Sequence, residues 1–404
     1  MDAQLQSNVD ELLGTLDRLR GPSEERYNAW PDDPELGWAL SDILRQFDTF
    51  ERGLNALKDP QNDTPKLAAV NKAAFNQIGR AIRKYDDYLV PQLIRFDETD
   101  RAITRLITQW QKEVNWPDKR PFVTTDSSMY FVSFPNLAAR ISPVRIPRSA
   151  ADDIRSLPFV IHELTHVLLR GDRNARRTLQ GNLREVVGLH FLNERRVDQQ
   201  TDIIGVWRDA WLEELTCDMV ATYVTGTAFP DQTLRATRLM WQTVFEQGES
   251  HPAWGARMAG SAQVLRAMGH DAEARQVTSD LLDYVKRTGE TPSNGFEVLY
   301  PPDLLRQIAE QVVQGCRDLG IQGFDAQPVQ KNTVLGLLTT AWARFRADSA
   351  SYRLWESGAL RAVHARLAAS QIAPVPAPEP PALLTRIPTA HQDPAPQLDL
   401  VIAA

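Results

Sequence analysis

The stretch "LPFVIHELTHVLLRGD" at 157–172 constrains the chain more than any other. Ile161, Leu164, Val167 and Leu168 recur at three- and four-residue spacing, the pattern of a helix with one buried face. Ser156 is placed to cap it, Pro158 suits its first turn and Gly171 ends it, which predicts three to four turns. On such a helix positions i and i+4 stand one above the other, so His162 and His166 can aim two imidazole nitrogens at one ion. Glu163 lies about 100° further round, beside such an ion but not bonded to it, where a general base for an activated water belongs. Polar residues scattered by accident on an exposed helix would not need the apolar stripe that flanks them here.

A site of this kind needs a third protein ligand. The metzincin extension of the motif would place glycine at 169 and histidine at 172, where this chain has Leu169 and Asp172. A glutamate on a later helix remains, and three are candidates. Glu185 has no acid four residues on. Glu194 has Asp198 at that spacing, but within the wholly polar "NERRVDQQTD". Glu214 has Asp218 within "WLEELTCDMVATYVTG", where Trp211, Leu215, Val220 and Val224 supply a buried face. Only a buried helix seats a carboxylate rigidly against a metal, which favours Glu214. Asp218 is then expected to take a hydrogen bond from the outer nitrogen of a ligand histidine.

"HELTH" followed by "EELTCDMVA" resembles the gluzincin zinc metallopeptidases, whose ligand helix is followed by a second helix carrying Glu-x-x-x-Asp. "SHPAWGAR" adds His251, Pro252 and Arg257 in a His-Pro-x-x-x-x-Arg pattern similar to that of the membrane CAAX-type and heat-shock-type gluzincins. The resemblance spans about 129–269. It implies Zn2+ as the cofactor, with His162, His166 and Glu214 as ligands, Asp218 behind them, Glu163 as base, and His251 and Arg257 at the substrate carbonyl or oxyanion. Two features depart from the pattern: the chain has no apolar membrane helices, and 48 positions separate His166 from Glu214. The insert, about 173–206, could form a lid or an extra helical hairpin. A preference for membrane or prenylated substrates is not implied.

The remaining sequence is mostly helical in period. Up to about Trp116, "NVDELLGTLDRL", "ALSDILRQFDTFERGLNAL", "KLAAVNKAAFNQIGRAIRKY" and "TDRAITRLITQWQKEV" alternate with turn-forming "GPSEE" and "DPQNDTP". "MYFVSFP" and "ARISPVRIP" are short, apolar and proline-terminated, which predicts one or two strands near a sheet edge. A helix over 207–225 stops at Gly226, and further helices are expected over 250–269, 271–287, 302–320 and 333–370. The expected fold is mainly α (α+β): a helical region at 1–116, a gluzincin-like zinc peptidase domain with a small sheet at 117–286, and a helical region at 287–370. The Pro- and Ala-rich segment 371–404 cannot bury enough apolar surface to fold.

With 404 residues and 43% apolar content, the chain can bury a large core. A net charge of −7 argues against nucleic acid or an anionic membrane as the main partner. Arg170, Arg173, Arg176 and Arg177 read as a solvated face. Two cysteines, Cys217 and Cys316, give no disulfide framework and read as packing residues; Tyr223 reads as core, and the sequence leaves the place of Tyr300 open. The amino terminus lacks a basic start and apolar core, and no run reaches the roughly 20 residues of a membrane span, so a cytoplasmic location is expected. The expected activity is zinc-dependent endopeptidase action on a polypeptide substrate, with no nucleic-acid partner. Hydrolysis of a non-peptide amide, or a helical interaction protein that retains a metal-binding peptidase fold, are the alternatives. A protein partner could use the helical flanks or the Pro-rich tail.

Overall fold

A computed structural model of the chain describes residues 3–30, 36–58, 68–117, 120–127, 131–133, 141–193, 200–240, 243–248, 250–292, 295–325 and 333–369. The chain divides into two compact units, Met1–Ile94 with Arg366–Ala404, and Arg95–Ala365. The Pro-rich stretch 371–404 and "DPQNDTP" lie outside the described residues.

The first unit is built on α1 (Ala3–Ala29), α2 (Leu36–Lys58) and α3 (Ala68–Lys84), which runs into a π turn at Tyr85–Leu89 and then α4 (Val90–Arg95). Phe47 and Phe50 pack edge-on against the buried Tyr85 ring, with centroids 5.5 and 5.6 Å away. The expected break at "GPSEE" does not occur. Pro22 lies inside α1, and the Ser23 hydroxyl donates to Leu19 O at 2.8 Å across that turn.

In the second unit, α5 (Glu98–Glu113) leads to a three-stranded sheet, β1 (Arg120–Asp126), β2 (Val132–Ser133) and β3 (Ile141–Pro147). The strand order is β1-β3-β2, with β1 parallel and β2 antiparallel to β3. α5 is fastened to β1 by its polar side chains. The Thr104 hydroxyl donates to Val123 O and accepts from Val123 N, and Asp100 Oδ1 accepts from the Thr125 amide and hydroxyl at 2.7 Å. The periodicity of "RPFVTTD" did not announce β1. β3 is central instead of lying at an edge, in spite of its prolines. β2 covers just Val144 and Arg145, so Pro143 is not asked to donate into that second ladder. The described part of "MYFVSFP" contains β2, which forms one edge of the sheet.

After α6 (Arg148–Ala151) and a 3-10 turn, Ile154–Ser156, comes α7 (Leu157–Gly171) with the "HELTH" residues. Ser156 makes no side-chain cap; Asp153 caps the preceding turn by accepting from Arg155 N. The insert is helical: α8 (Arg173–Gln180), α9 (Leu183–Asn193) and α10 (Gln200–Val206). Ala175, Leu179 and Val187 are fully buried, so α8 and α9 are core elements. A π turn, Trp207–Trp211, delivers the chain into α11 (Leu212–Thr225), which is followed by α12 (Ala228–Met240), α13 (Trp254–Ala267), α14 (Asp271–Thr288), α15 (Phe296–Leu299) and α16 (Pro302–Asp318). The single helix expected over 333–370 is split into α17 (Val334–Ala347) and α18 (Ser349–Ala369). Asp348 breaks it by accepting from the amides of Ala350 and Ser351. α11 packs against both α7 and α13, and its polar residues Glu214 and Asp218 meet theirs. Among the described residues, no helix is long and apolar enough to cross a membrane.

Candidate metal centre

α7 is buried along nearly its whole length, yet it carries two imidazoles inward. His162 and His166 are each only 6% exposed, and Glu214 on α11 is 8% exposed. The three converge. His162 Nε2 and His166 Nε2 are 3.2 Å apart, His166 Nε2 is 3.2 Å from Glu214 Oε1, and His162 Nε2 is 3.4 Å from Glu214 Oε2. Ligands bonded at about 2.0–2.1 Å around a tetrahedral ion stand about 3.3 Å from one another, so these separations match the edges of such a shell. The described residues contain one cluster of this kind, and it could hold a metal ion.

The outer nitrogens explain why the inner ones are free to bind. Asp218 Oδ1 lies 2.8 Å from His162 Nδ1, though off the direction of a well-formed hydrogen bond. Glu213 Oε1 lies 2.9 Å from His166 Nδ1. A carboxylate beside each Nδ1 favours the proton of a neutral ring there, which leaves the two Nε2 atoms, 3.2 Å apart, available to one ion. Glu214 Oε2 is buried and makes no well-formed hydrogen bond among the described residues. Two basic nitrogens and a carboxylate crowded together in a protein interior are costly unless a proton or a cation sits among them. The donor set therefore fits a divalent ion.

Each carboxylate behind the histidines is itself held by an arginine. Arg257 on α13 donates from Nε to Asp218 Oδ2 at 2.6 Å and from Nη2 to Oδ1 at 2.7 Å, and its guanidinium lies 4.5 Å from the Trp254 ring. Burial alone would push the Asp218 carboxyl up, but Arg257 holds it below the ordinary range. Arg170 Nε donates to Glu213 Oε1 at 2.5 Å. Arg257 borders the same cleft as Glu163, and its fork is given over to Asp218, behind His162. Sequence reasoning did not single out Glu213, and it read Arg170 as part of a solvated face. The i, i+4 spacing of His166 and Arg170, and the acid doublet "EE", were the available signals.

Glu163 projects to the open side of α7 and lines a cleft of about 740 Å³ together with Phe159, His162, His251, Trp254 and Leu239. His251 lies in the turn before α13, with its side chain 58% exposed and Nε2 3.6 Å from Glu214 Oε2. Partial burial is the main cause that lowers its imidazole pKa, which favours the neutral ring. Nδ1 is 2.8 Å from the Ser250 hydroxyl. Glu163 and His251 thus line one cleft beside the ligand cluster. Of the other glutamates weighed, Glu185 is exposed on α9, and Glu194 lies outside the described residues. Tyr223 is core, donating to Ile321 O, and Cys217 is fully buried with its thiol pushed up to about 12 by burial. No protein-family model, curated protein or solved structure matches this chain.

Proposed function

We propose that the chain is a zinc-dependent endopeptidase that uses Glu163 as general base. The observation that supports this best is the convergence of His162 Nε2, His166 Nε2 and the Glu214 carboxylate beside a cleft that His162 and Glu163 line. Nitrogen and carboxylate donors in a His-His-Glu set, with a side open to the cleft, suit zinc in a hydrolytic site better than a closed structural one. Zinc, when bound there, supplies a Lewis acid that polarises a carbonyl and lowers the pKa of a water to about 7.

The chain's own residues do the rest. Glu163 accepts the proton of the attacking water and passes it to the leaving amine. His251, a neutral ring whose Nδ1 can accept from Ser250, is left with Nε2–H as a donor toward the developing oxyanion. Asp218 and Glu213 fix the tautomers of the two ligand histidines, and Arg257 and Arg170 hold those carboxylates in place. The cleft is bordered by Phe131, the residue before the edge strand β2, so a substrate in extended form can reach that strand for main-chain pairing.

The test is mass-spectrometric identification of the products released from a peptide library by the zinc-loaded protein, with Glu163→Gln as control. Wild type should cut internal peptide bonds, and the variant should keep its zinc and fold while losing nearly all turnover. Equal cleavage by both, or cleavage of non-peptide amides alone, would overturn the proposal.

A further inference from the structure

His251 has little of its own to hold it. The side chain is more than half exposed, and among the described residues its one side-chain hydrogen bond is to the adjacent Ser250, with Glu214 Oε2 further off at 3.6 Å. Its place beside Glu214 must therefore be set by the backbone of the turn that carries it. That turn folds on itself, Gly248 N donating to His251 O at 3.0 Å and Gly255 N to Val244 O at 2.7 Å. Two buried aromatics then clamp it from outside. Trp211 Nε1 donates to Gly248 O at 3.1 Å, and Tyr300 Oη accepts from Ala253 N at 3.0 Å. The two clamps lie three residues before and two residues after His251.

The same two rings are stacked on each other, with centroids 5.1 Å apart and planes at 27°. Trp211 and Tyr300 are 4% and 3% exposed. Trp207, one turn earlier, donates from Nε1 to Leu299 O at 3.0 Å and so fixes the residue next to Tyr300. Trp211 precedes Glu214 by three residues at the entry to α11, so ring and carboxylate share one rigid helical turn. A single stacked pair thus references the His251 turn to the helix that carries Glu214.

We infer that Tyr300 and Trp211 are positioning residues that set the distance and orientation of His251 relative to Glu214. This rests on the reading of His251 as an oxyanion donor in the proposed peptidase. Neither ring lines the cleft, so neither touches substrate.

Tyr300→Phe removes the acceptor and leaves the stack; Trp211→Phe removes the donor at the other end. The experiment compares both full-length, zinc-loaded variants with wild type by NMR of labelled histidine rings, of which the chain has seven, beside zinc content, kcat and KM. The His251 ring signal should shift or broaden in either variant, while the His162 and His166 signals and the zinc content hold. Turnover should fall about tenfold or more, approaching the hundredfold that a misplacement of about 1 Å can cost, with KM little changed. If Tyr300→Phe does not fold, Trp211→Phe carries the same expectation. An unmoved His251 signal overturns the inference, as does equal disturbance of all three histidines, which would make the rings general packing. If wild type cleaves no peptide, the proposed function fails, and the ring signals still decide the positioning role.

Discussion

Asp218 is the least exposed charged group at the centre, and its neighbours show what a buried charge requires. With no exposed surface, it depends on the two hydrogen bonds from Arg257 to remain ionised and to meet His162 Nδ1. Removing one partner of such a pair leaves the other charge buried and uncompensated, at about 3–5 kcal/mol. Arg257→Ala should therefore lower unfolding stability by that order and weaken zinc binding as His162 loses its anchor, both measurable by denaturant unfolding and metal titration. Arg257→Lys should recover part of the stability, since it restores charge without the fork. Unchanged stability in Arg257→Ala would show that the pair is replaceable by water. At this scale the sequence was legible where spacing on a helix decides geometry: His162, Glu163 and His166 from one turn, Glu214 and Asp218 from another. It was opaque where a contact depends on how two helices are rotated against each other. Arg257 could be placed near the site from its motif, but whether its fork meets Asp218 or a substrate is fixed by the α11–α13 crossing. Glu213 depended on that same kind of information from α7 and α11.

Helix contacts here rely on glycine at close crossings. A methyl on Gly315 of α16 would stand 2.6 Å from Thr178 O and 2.9 Å from Leu179 Cα, both backbone atoms of α8 that cannot swing aside. A methyl on Gly358 of α18 would meet nothing within 4 Å. The two substitutions should have opposite signs. Gly315→Ala should destabilise by about 1–3 kcal/mol, because the overpacking exceeds the gain in helix propensity. Gly358→Ala should stabilise by about 0.5–1 kcal/mol through that propensity and a less free unfolded chain. Thermal unfolding of both variants checks this, and a loss in both would mean that α18 is constrained by something besides its own backbone. The helices themselves were largely readable, because apolar periodicity fixes a helix before any partner is known. Their ends were less so. Asp348 splits one periodic run with a side-chain cap, and Pro22 fails to split another. The strands were the least legible, since β1 and β3 are short, mostly buried on both faces and paired in parallel, which leaves no alternation in the sequence.

For the molecule as a whole, the metal site is a linkage between folding and a ligand. A cation that binds the folded cluster and not the unfolded chain stabilises by about 2.7 kcal/mol at a hundredfold excess over its Kd. Zinc should accordingly raise the melting temperature, and a chelator should lower it reversibly. The pH dependence follows from the metal-free imidazoles. Burial opposes charging of His162, but the Asp218 and Glu214 carboxylates outweigh it and raise its pKa above 6.5. In the metal-free protein a raised pKa contributes stability that is fully present below 6.5 and lost as pH rises through the folded value. Protons thus compete with zinc for Nε2 from above that pH downward. The apo protein gains from acidification while the zinc-dependent increment shrinks, so the two melting curves should converge as pH falls through the raised pKa of His162 toward 6.5. Differential scanning calorimetry with and without zinc across that range measures the gap directly. A gap that stays constant with pH would remove the histidines from the coordination shell, and no gap at any pH would remove the metal.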